Sequence, residues 1–283
     1  MQYFCLNGEL VPAAEARLDV SDLGLLRGYG IFDFFPVVDG VPVFLEDYLA
    51  RLENSARLMD LDLPVLGEEL RSLVLTTIDA NGAGNAYIRL LLTGGEAENS
   101  YTPTKPNFVI MYYDYEQFRA GFSVGGLKLM TDLYVRELPE AKSTNYAHVI
   151  RLRKKLAQLG ASDVLYHDGR LITESSRSNF FVFMPDGRLV TPERHILPGV
   201  TRKNLLRVAR EHFEVEVRDL HFEELREASE AFLCSTMRGV SPVFQIDELT
   251  IGSGQPGRYS QQLAAVFQAY RQQYLAQARE ARM

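Results

Sequence analysis

Three short runs decide the reading of this chain: Glu174-Ser-Ser-Arg-Ser-Asn179-Phe-Phe, Leu189-Val-Thr191-Pro and Ile196-Leu-Pro-Gly-Val-Thr-Arg202. Around them, apolar segments at 163–167, 170–173 and 180–184 are separated by His167-Asp168-Gly169 and Pro185-Asp186-Gly187, turn-forming triplets that join strands. Glu174 therefore falls at a strand end. Pro198-Gly199 punctuates the start of a helix. The first N–H groups of such a helix lack carbonyl partners within it.

Working outward, a strand is expected at 127–131, a helix at 145–159 and a long closing helix at 259–279. In the first half, Asn7-Gly8 and Asp39-Gly40 are hairpin signals between apolar runs. Leu49, Leu52, Ala56 and Met59 recur at helical spacing, so a helix is expected at 46–59. A second runs over 68–81 and stops at Gly82, with strands at 85–92 and 108–113. Helices and strands mixed in this way predict an α+β fold in two domains. The expected division is a small domain at 1–113, a linker at 114–126 carrying Gly121, Gly125 and Gly126, and a larger domain at 127–283. There is no internal repeat.

Composition excludes several classes. The 283 residues carry a net charge of −7, so no basic footprint points to nucleic acid. No apolar run approaches the roughly 18 residues of a membrane span. Residues 1–10 lack the layout of a signal peptide. Two distant cysteines, Cys5 and Cys234, make no disulfide framework and fit a reducing cytoplasm. The five histidines show no metal-ligand spacing, and no metal is expected. The 30 basic residues include only six lysines, at 105, 128, 142, 154, 155 and 203.

Taken together, the three opening runs resemble the signature of the class IV pyridoxal-phosphate aminotransferases. That family includes branched-chain aminotransferases, D-amino-acid transaminases and aminodeoxychorismate lyases. Arg51-Leu-Glu-Asn-Ser-Ala56 resembles its phosphate-arginine motif, and Lys142-Ser-Thr-Asn145-Tyr146 its Schiff-base lysine segment. The motifs stand in family order over about 28–242. The resemblance implies a fold type IV enzyme whose larger domain has a β-barrel-like core, with pyridoxal 5'-phosphate as cofactor and a homodimeric assembly. One departure is length: five residues separate Thr191 from Leu197, fewer than the family usually carries, so a tighter loop is expected.

The resemblance also assigns roles, and the chemistry agrees with them. Lys142 would hold the cofactor and move the substrate α-proton. Both tasks need an amine of lowered proton affinity, which burial and a neighbouring cation supply. The other lysines suit this less: Lys154 and Lys155 lie in a polar stripe with Arg151 and Arg153, and Lys203 in the first turn of a helix. Glu174 would pair with the pyridine nitrogen and keep it protonated, with Asn179 completing the motif. Arg51 would bind phosphate through a charge-assisted fork, beside the helix start at Gly199, Val200 and Thr201. Thr236 is in a segment resembling the second phosphate-side loop, or in a plain turn. Leu197 is either against the cofactor ring or in the core. Tyr146 would contact the cofactor's phenolic oxygen.

Substrate residues follow from the same comparison. Tyr87-Ile-Arg89 resembles the carboxylate-holding strand of branched-chain enzymes, and Phe32 the aromatic at the pocket wall. Residues 93–106 contain neither Arg nor His, against the D-amino-acid branch. Asp33 stands where the family usually has Glu. Met237 and Arg238 border Thr236, and Arg238 either binds a second carboxylate, as in 2-oxoglutarate, or faces solvent. The expected activity is transfer of an amino group from a branched-chain-like L-amino acid to 2-oxoglutarate. Lyase release of pyruvate is the alternative, with D-amino-acid transamination behind it.

Overall fold

The computed structural model describes residues 2–97, 99–116 and 126–280. The chain forms two compact units: Met1–Phe122 with Ala141–Asn145 and Tyr274–Met283, and Ser123–Glu140 with Tyr146–Gln273. The units therefore exchange chain segments and do not coincide with the two halves of the sequence. Most of the stretch expected as a linker, 114–126, lies outside the described residues.

The first unit is built on a six-stranded sheet. Its strands are β1 (Tyr3–Leu6), β2 (Glu9–Pro12), β3 (Gly30–Val38), β4 (Val41–Pro42), β5 (Ala86–Thr93) and β6 (Asn107–Asp114), in the order β2-β1-β6-β5-β3-β4. Both hairpin signals hold: Asn7 and Gly8, and Asp39 and Gly40, take the positive φ that a two-residue turn requires. The unit's helices are α1 (Leu23–Arg27), α2 (Leu45–Leu58) and α3 (Gly67–Ala80). Strand alternation puts Ile31, Phe35, Ile88, Leu90, Leu92 and Ile110 on one fully buried face, closed by Leu52, Leu70, Val74 and Ile78 of α2 and α3. Each such side chain contributes about 1.5–3 kcal/mol of burial.

The other face of β3 and β5 carries Phe32, Phe34, Tyr87 and Arg89, with Phe34 opposite Arg89. Residues 141–145 join this unit because they bond along β3. Phe32 N–H donates to Lys142 O at 2.9 Å, and Thr144 N–H to Gly30 O at 2.9 Å. The final residues join it through Tyr274, whose ring lies 4.7 Å from that of Phe44, and through an Arg279–Asp39 ion pair.

The second unit contains β7 (Leu127–Leu133), α4 (Ala147–Leu159), β8 (Asp163–His167), β9 (Leu171–Ser175), β10 (Asn179–Phe183), β11 (Leu189–Thr191) and α5 (Val200–Ala209). There follow β12 (Val215–Val217), β13 (Leu220–His221), a 3₁₀ turn at Phe222–Arg226, β14 (Glu230–Ser235), β15 (Gly239–Ile246) and β16 (Leu249–Thr250). Helix α6 (Arg258–Glu280) ends the described chain. Six strands close into a ring: β7 pairs β8, β8 pairs β9, β9 pairs β10, β10 pairs β14, β14 pairs β15, and β15 returns to β7. The expected β-barrel-like core is this ring. Leu127, Leu129, Leu165, Ile172, Phe180, Val182, Leu233 and Val243 form one buried apolar cluster within it. Alternation puts Phe181 and Phe183 on the opposite face, where they pack with Phe232, Phe213 and Tyr259.

Two boundaries differ from the sequence reading for a physical reason. Strand β9 runs on through Glu174 to Ser175, because Glu174 pairs with Asn179 across the hairpin. Glu174 is therefore inside a strand, not after one. Helix α4 begins at Ala147, because the preceding residues 141–145 are held by β3.

Candidate active site

In the first unit, Lys142 is half-buried and its segment is fixed at several points. Besides the bond to Phe32, its own N–H donates to Ser55 Oγ of α2 at 3.1 Å. Its Nζ lies 4.6 Å from the centre of the Phe32 ring. The Arg89 guanidinium lies 5.7 Å from the same ring, 5.5 Å from Phe34 and 5.6 Å from Tyr113. Tyr87 stacks on Phe34 at 5.1 Å and lines this aromatic group. Arg89 Nε is buried and, among the described residues, has no hydrogen-bond partner. Among the described residues Arg89 has no acidic partner, only aromatic rings.

Arg51, on α2, is held where sequence reasoning had no partner for it. Its Nε donates to Asp33 Oδ2 at 2.9 Å and its Nη2 to Asp33 Oδ1 at 2.6 Å. Both residues are buried, the aspartate fully. The signal was present: a lone acid inside Ile31-Phe32-Asp33-Phe34-Phe35 must find a counter-charge if that strand is buried.

In the second unit, Glu174 and Asn179 face each other where the barrel closes. Together they hold the peptide of Leu197. Leu197 N–H donates to Glu174 Oε2 at 2.9 Å, and Asn179 Nδ2 donates to Leu197 O at 2.9 Å. The loop bearing Leu197 is short, with His195 at φ 58°. Glu174 is 4% exposed, and its Oε1 lies 3.4 Å from Arg136 Nη1, which also donates to Pro139 O at 3.0 Å. Sequence reasoning had no signal for Arg136.

Gly199 caps α5, and Val200 and Thr201 form its first turn. A Cβ at 199 would come within 2.1 Å of Asn179 Oδ1, so only glycine allows this approach. The helix start has no side-chain cap and no acid in its first turn, which suits an anion at its N–H groups. Arg202, behind it, donates to Pro192 O at 2.8 Å, and burial lowers its proton affinity. Thr236 and Met237 are half-buried in the turn between β14 and β15. Arg238 in that turn does not face solvent. Its side chain is 12% exposed and its Nη2 donates to Asp163 Oδ2 at 3.1 Å. Tyr146 is half-buried at the start of α4.

The residues brought together thus form two sets. The first is Lys142, Phe32, Tyr87 and Arg89, with Arg51 on Asp33. The second is Glu174, Asn179, Leu197 and the start of α5, with Thr236 and Arg238 on a neighbouring turn. A buried carboxylate, an amine and an uncapped helix start are a donor set that fits a phosphorylated pyridine aldehyde.

Known structures share this fold. The T.th. branched-chain amino acid aminotransferase with pyridoxamine 5'-phosphate superposes with a TM-score of 0.85 at 26% identity, covering 95% of this chain and 94% of that one. A Methanocaldococcus jannaschii protein provisionally named a branched-chain-amino-acid aminotransferase is 30% identical over 276 residues, 94% of this chain and 95% of its own. The D-alanine aminotransferase of Bacillus licheniformis is 30% identical over 274 residues, 93% and 94% of the two chains. The family model for amino-transferase class IV matches residues 30–246. The chain belongs to the class IV aminotransferases, and its cofactor is pyridoxal 5'-phosphate. Among the described residues no helix is long and apolar enough to cross a membrane.

Proposed function

We propose that the chain moves the amino group of a branched-chain-like L-amino acid to 2-oxoglutarate, with Lys142 as the residue that joins the cofactor and carries the α-proton. One observation carries this reading: the Phe32 ring is met by both Lys142 Nζ and the Arg89 guanidinium. An amine able to take a proton from Cα thus shares an aromatic wall with a cation able to hold a carboxylate. The buried Arg89 Nε, without an acceptor among the described residues, supports it, since an N–H left without an acceptor costs about 1–3 kcal/mol until a ligand supplies one.

The remaining roles follow from the donor sets. When bound, the cofactor supplies an electron sink for the charge left at Cα. Glu174, whose carboxylate is fixed by Leu197 N–H, would accept the ring N–H. Arg51, the N–H groups of Val200 and Thr201, and Thr236 are the residues that would hold the phosphate. Tyr146 would contact the phenolic oxygen. In this reading the enzyme is a cytoplasmic homodimer, as the family resemblance implies.

The D-alanine aminotransferases among its relatives favour a second reading, transamination of a D-amino acid. The lack of Arg and His over 93–106 weighs against it. A panel of L- and D-amino donors against 2-oxoglutarate, run beside a pyruvate-release assay on aminodeoxychorismate, separates the readings. L-leucine, L-valine or L-isoleucine should be the best donors. Faster turnover of D-alanine, or pyruvate release, would contradict the proposal.

A further inference from the structure

Residues 142–144 run antiparallel to the start of β3, with Ser143 bridged to Ile31. The bonds from Phe32 N–H to Lys142 O and from Thr144 N–H to Gly30 O, both 2.9 Å, flank that bridge. In this register Lys142 stands opposite Phe32 and on the same face, which puts its Nζ 4.6 Å from the centre of the Phe32 ring. The register matters because strand side chains alternate. A slip of one residue would turn Lys142 toward the buried face of Ile31 and Phe35. A slip of two would keep the face but move the amine about 7 Å along β3. A pairing three residues long does little to exclude either.

Two side-chain hydroxyls supply what the short pairing lacks. Ser55 Oγ on α2, wholly buried, accepts the Lys142 N–H at 3.1 Å. Thr144 Oγ1 donates to Gly28 O at 3.0 Å and lies 3.2 Å from Gly30 O. The segment is thus held at both of its ends. Ser55 also stands four residues after Arg51, on the same face of α2. Arg51 in turn is gripped by Asp33, the residue next to Phe32. Adjacent residues of β3 and one turn of α2 therefore fix both Arg51 and Lys142. All of these residues belong to one compact unit.

We infer that Ser55 and Thr144 are positioning residues that lock the register of Lys142 on β3 and, through Ser55, its spacing from Arg51. The inference rests on the proposed role of Lys142 and deepens it, by naming the groups that place its amine. Both hydroxyls act on backbone atoms of the segment or of β3 and its approach, not on the reacting amine.

The test compares Ser55→Ala, Thr144→Val and Thr144→Ser in the full-length enzyme. Amide hydrogen exchange needs neither cofactor nor turnover and reads the segment directly. Exchange in a peptide covering 140–146 should rise about 2- to 10-fold in Ser55→Ala and Thr144→Val, the size of one lost hydrogen bond, while a β5 peptide keeps the parental rate. In the holoenzyme, kcat should fall about 10- to 100-fold, as expected for a misplaced reacting group, with KM and cofactor affinity near the parental values. Thr144→Ser, which keeps the hydroxyl, should match the parent in every readout. Parental exchange at 140–146, or raised exchange with parental kcat, would overturn the inference. So would a cofactor affinity that falls in step with kcat, or a Thr144→Ser variant as slow as Thr144→Val. If Ser55→Ala does not fold, the two Thr144 variants, at a half-buried position, carry the same expectation. A borohydride label away from Lys142 in the parent would refute the proposed role of Lys142, and the exchange rates would still show whether the two hydroxyls fix the segment.

Discussion

Asp33 grips Arg51 at two atoms, Nε to Oδ2 at 2.9 Å and Nη2 to Oδ1 at 2.6 Å, with the carboxylate wholly out of solvent. The phosphate-binding candidate is therefore also half of a buried ion pair. Removing either partner strands a buried charge, at a cost of about 3–5 kcal/mol. Arg51→Ala and Asp33→Asn should both destabilise the apoenzyme in urea unfolding. Asp33→Asn/Arg51→Met should recover most of that stability, yet bind pyridoxal phosphate about 10- to 100-fold more weakly than the parent. Parental cofactor affinity in the double variant would confine Arg51 to a structural role.

Glu174→Gln keeps an acceptor oxygen for Leu197 N–H and loses the charge. The ring nitrogen would then lose its proton, and the electron sink with it. A loss of about 3–5 kcal/mol of transition-state stabilisation slows turnover roughly 10²- to 10⁴-fold. The variant should remain yellow, with a larger isotope effect from α-deuterated substrate. Turnover near the parental value, with cofactor bound, would show that another acid serves the ring.

Gly199→Ala tests how the helix start is fitted. Its φ of −63° suits any residue, so the obstacle is contact rather than backbone strain. The new methyl would meet Asn179 Oδ1 at 2.1 Å and push the amide off Leu197 O. Overpacking of this kind costs about 1–3 kcal/mol. Thermal unfolding should fall accordingly, and Gly199→Ala/Asn179→Ala should regain part of the loss. A melting temperature equal to the parent's would show that Asn179 has room to move.

Cys234 is fully buried and its thiol is pushed up to about 12; burial also raises Cys5. A raised thiol leaves little thiolate at pH 8, so a chromogenic thiol reagent should find almost no reactive cysteine in the native enzyme. In denaturant both cysteines should react at once. Rapid native labelling of either would contradict the burial.

Much of this was legible in the residues. Hairpin signals at Asn7-Gly8 and Asp39-Gly40, the spacing of Leu49, Leu52 and Ala56, and the helix start after Gly199 are local features, and local features survive folding. The motif around Glu174 could be read because its residues are near in sequence. What escaped were pairings between distant residues. Asp33 meets Arg51 across 18 positions, Arg136 meets Glu174 across 38, and Arg238 meets Asp163 across 75. The return of β15 to β7 joins residues more than a hundred positions apart, with no periodicity to announce it. Strand β9 extends past Thr173 because Glu174 pairs with Asn179 of β10 and Ser175 with Leu165 of β8, not through their own propensity.

The central claim is that Lys142, held to β3 and set against the Phe32 ring, is the residue that joins the cofactor. Borohydride reduction of the holoenzyme followed by peptide mapping tests it directly. The account predicts a single pyridoxyl label on Lys142, and a Lys142→Ala variant that binds cofactor weakly and does not turn over. A label on Lys128 or Lys203 would contradict it.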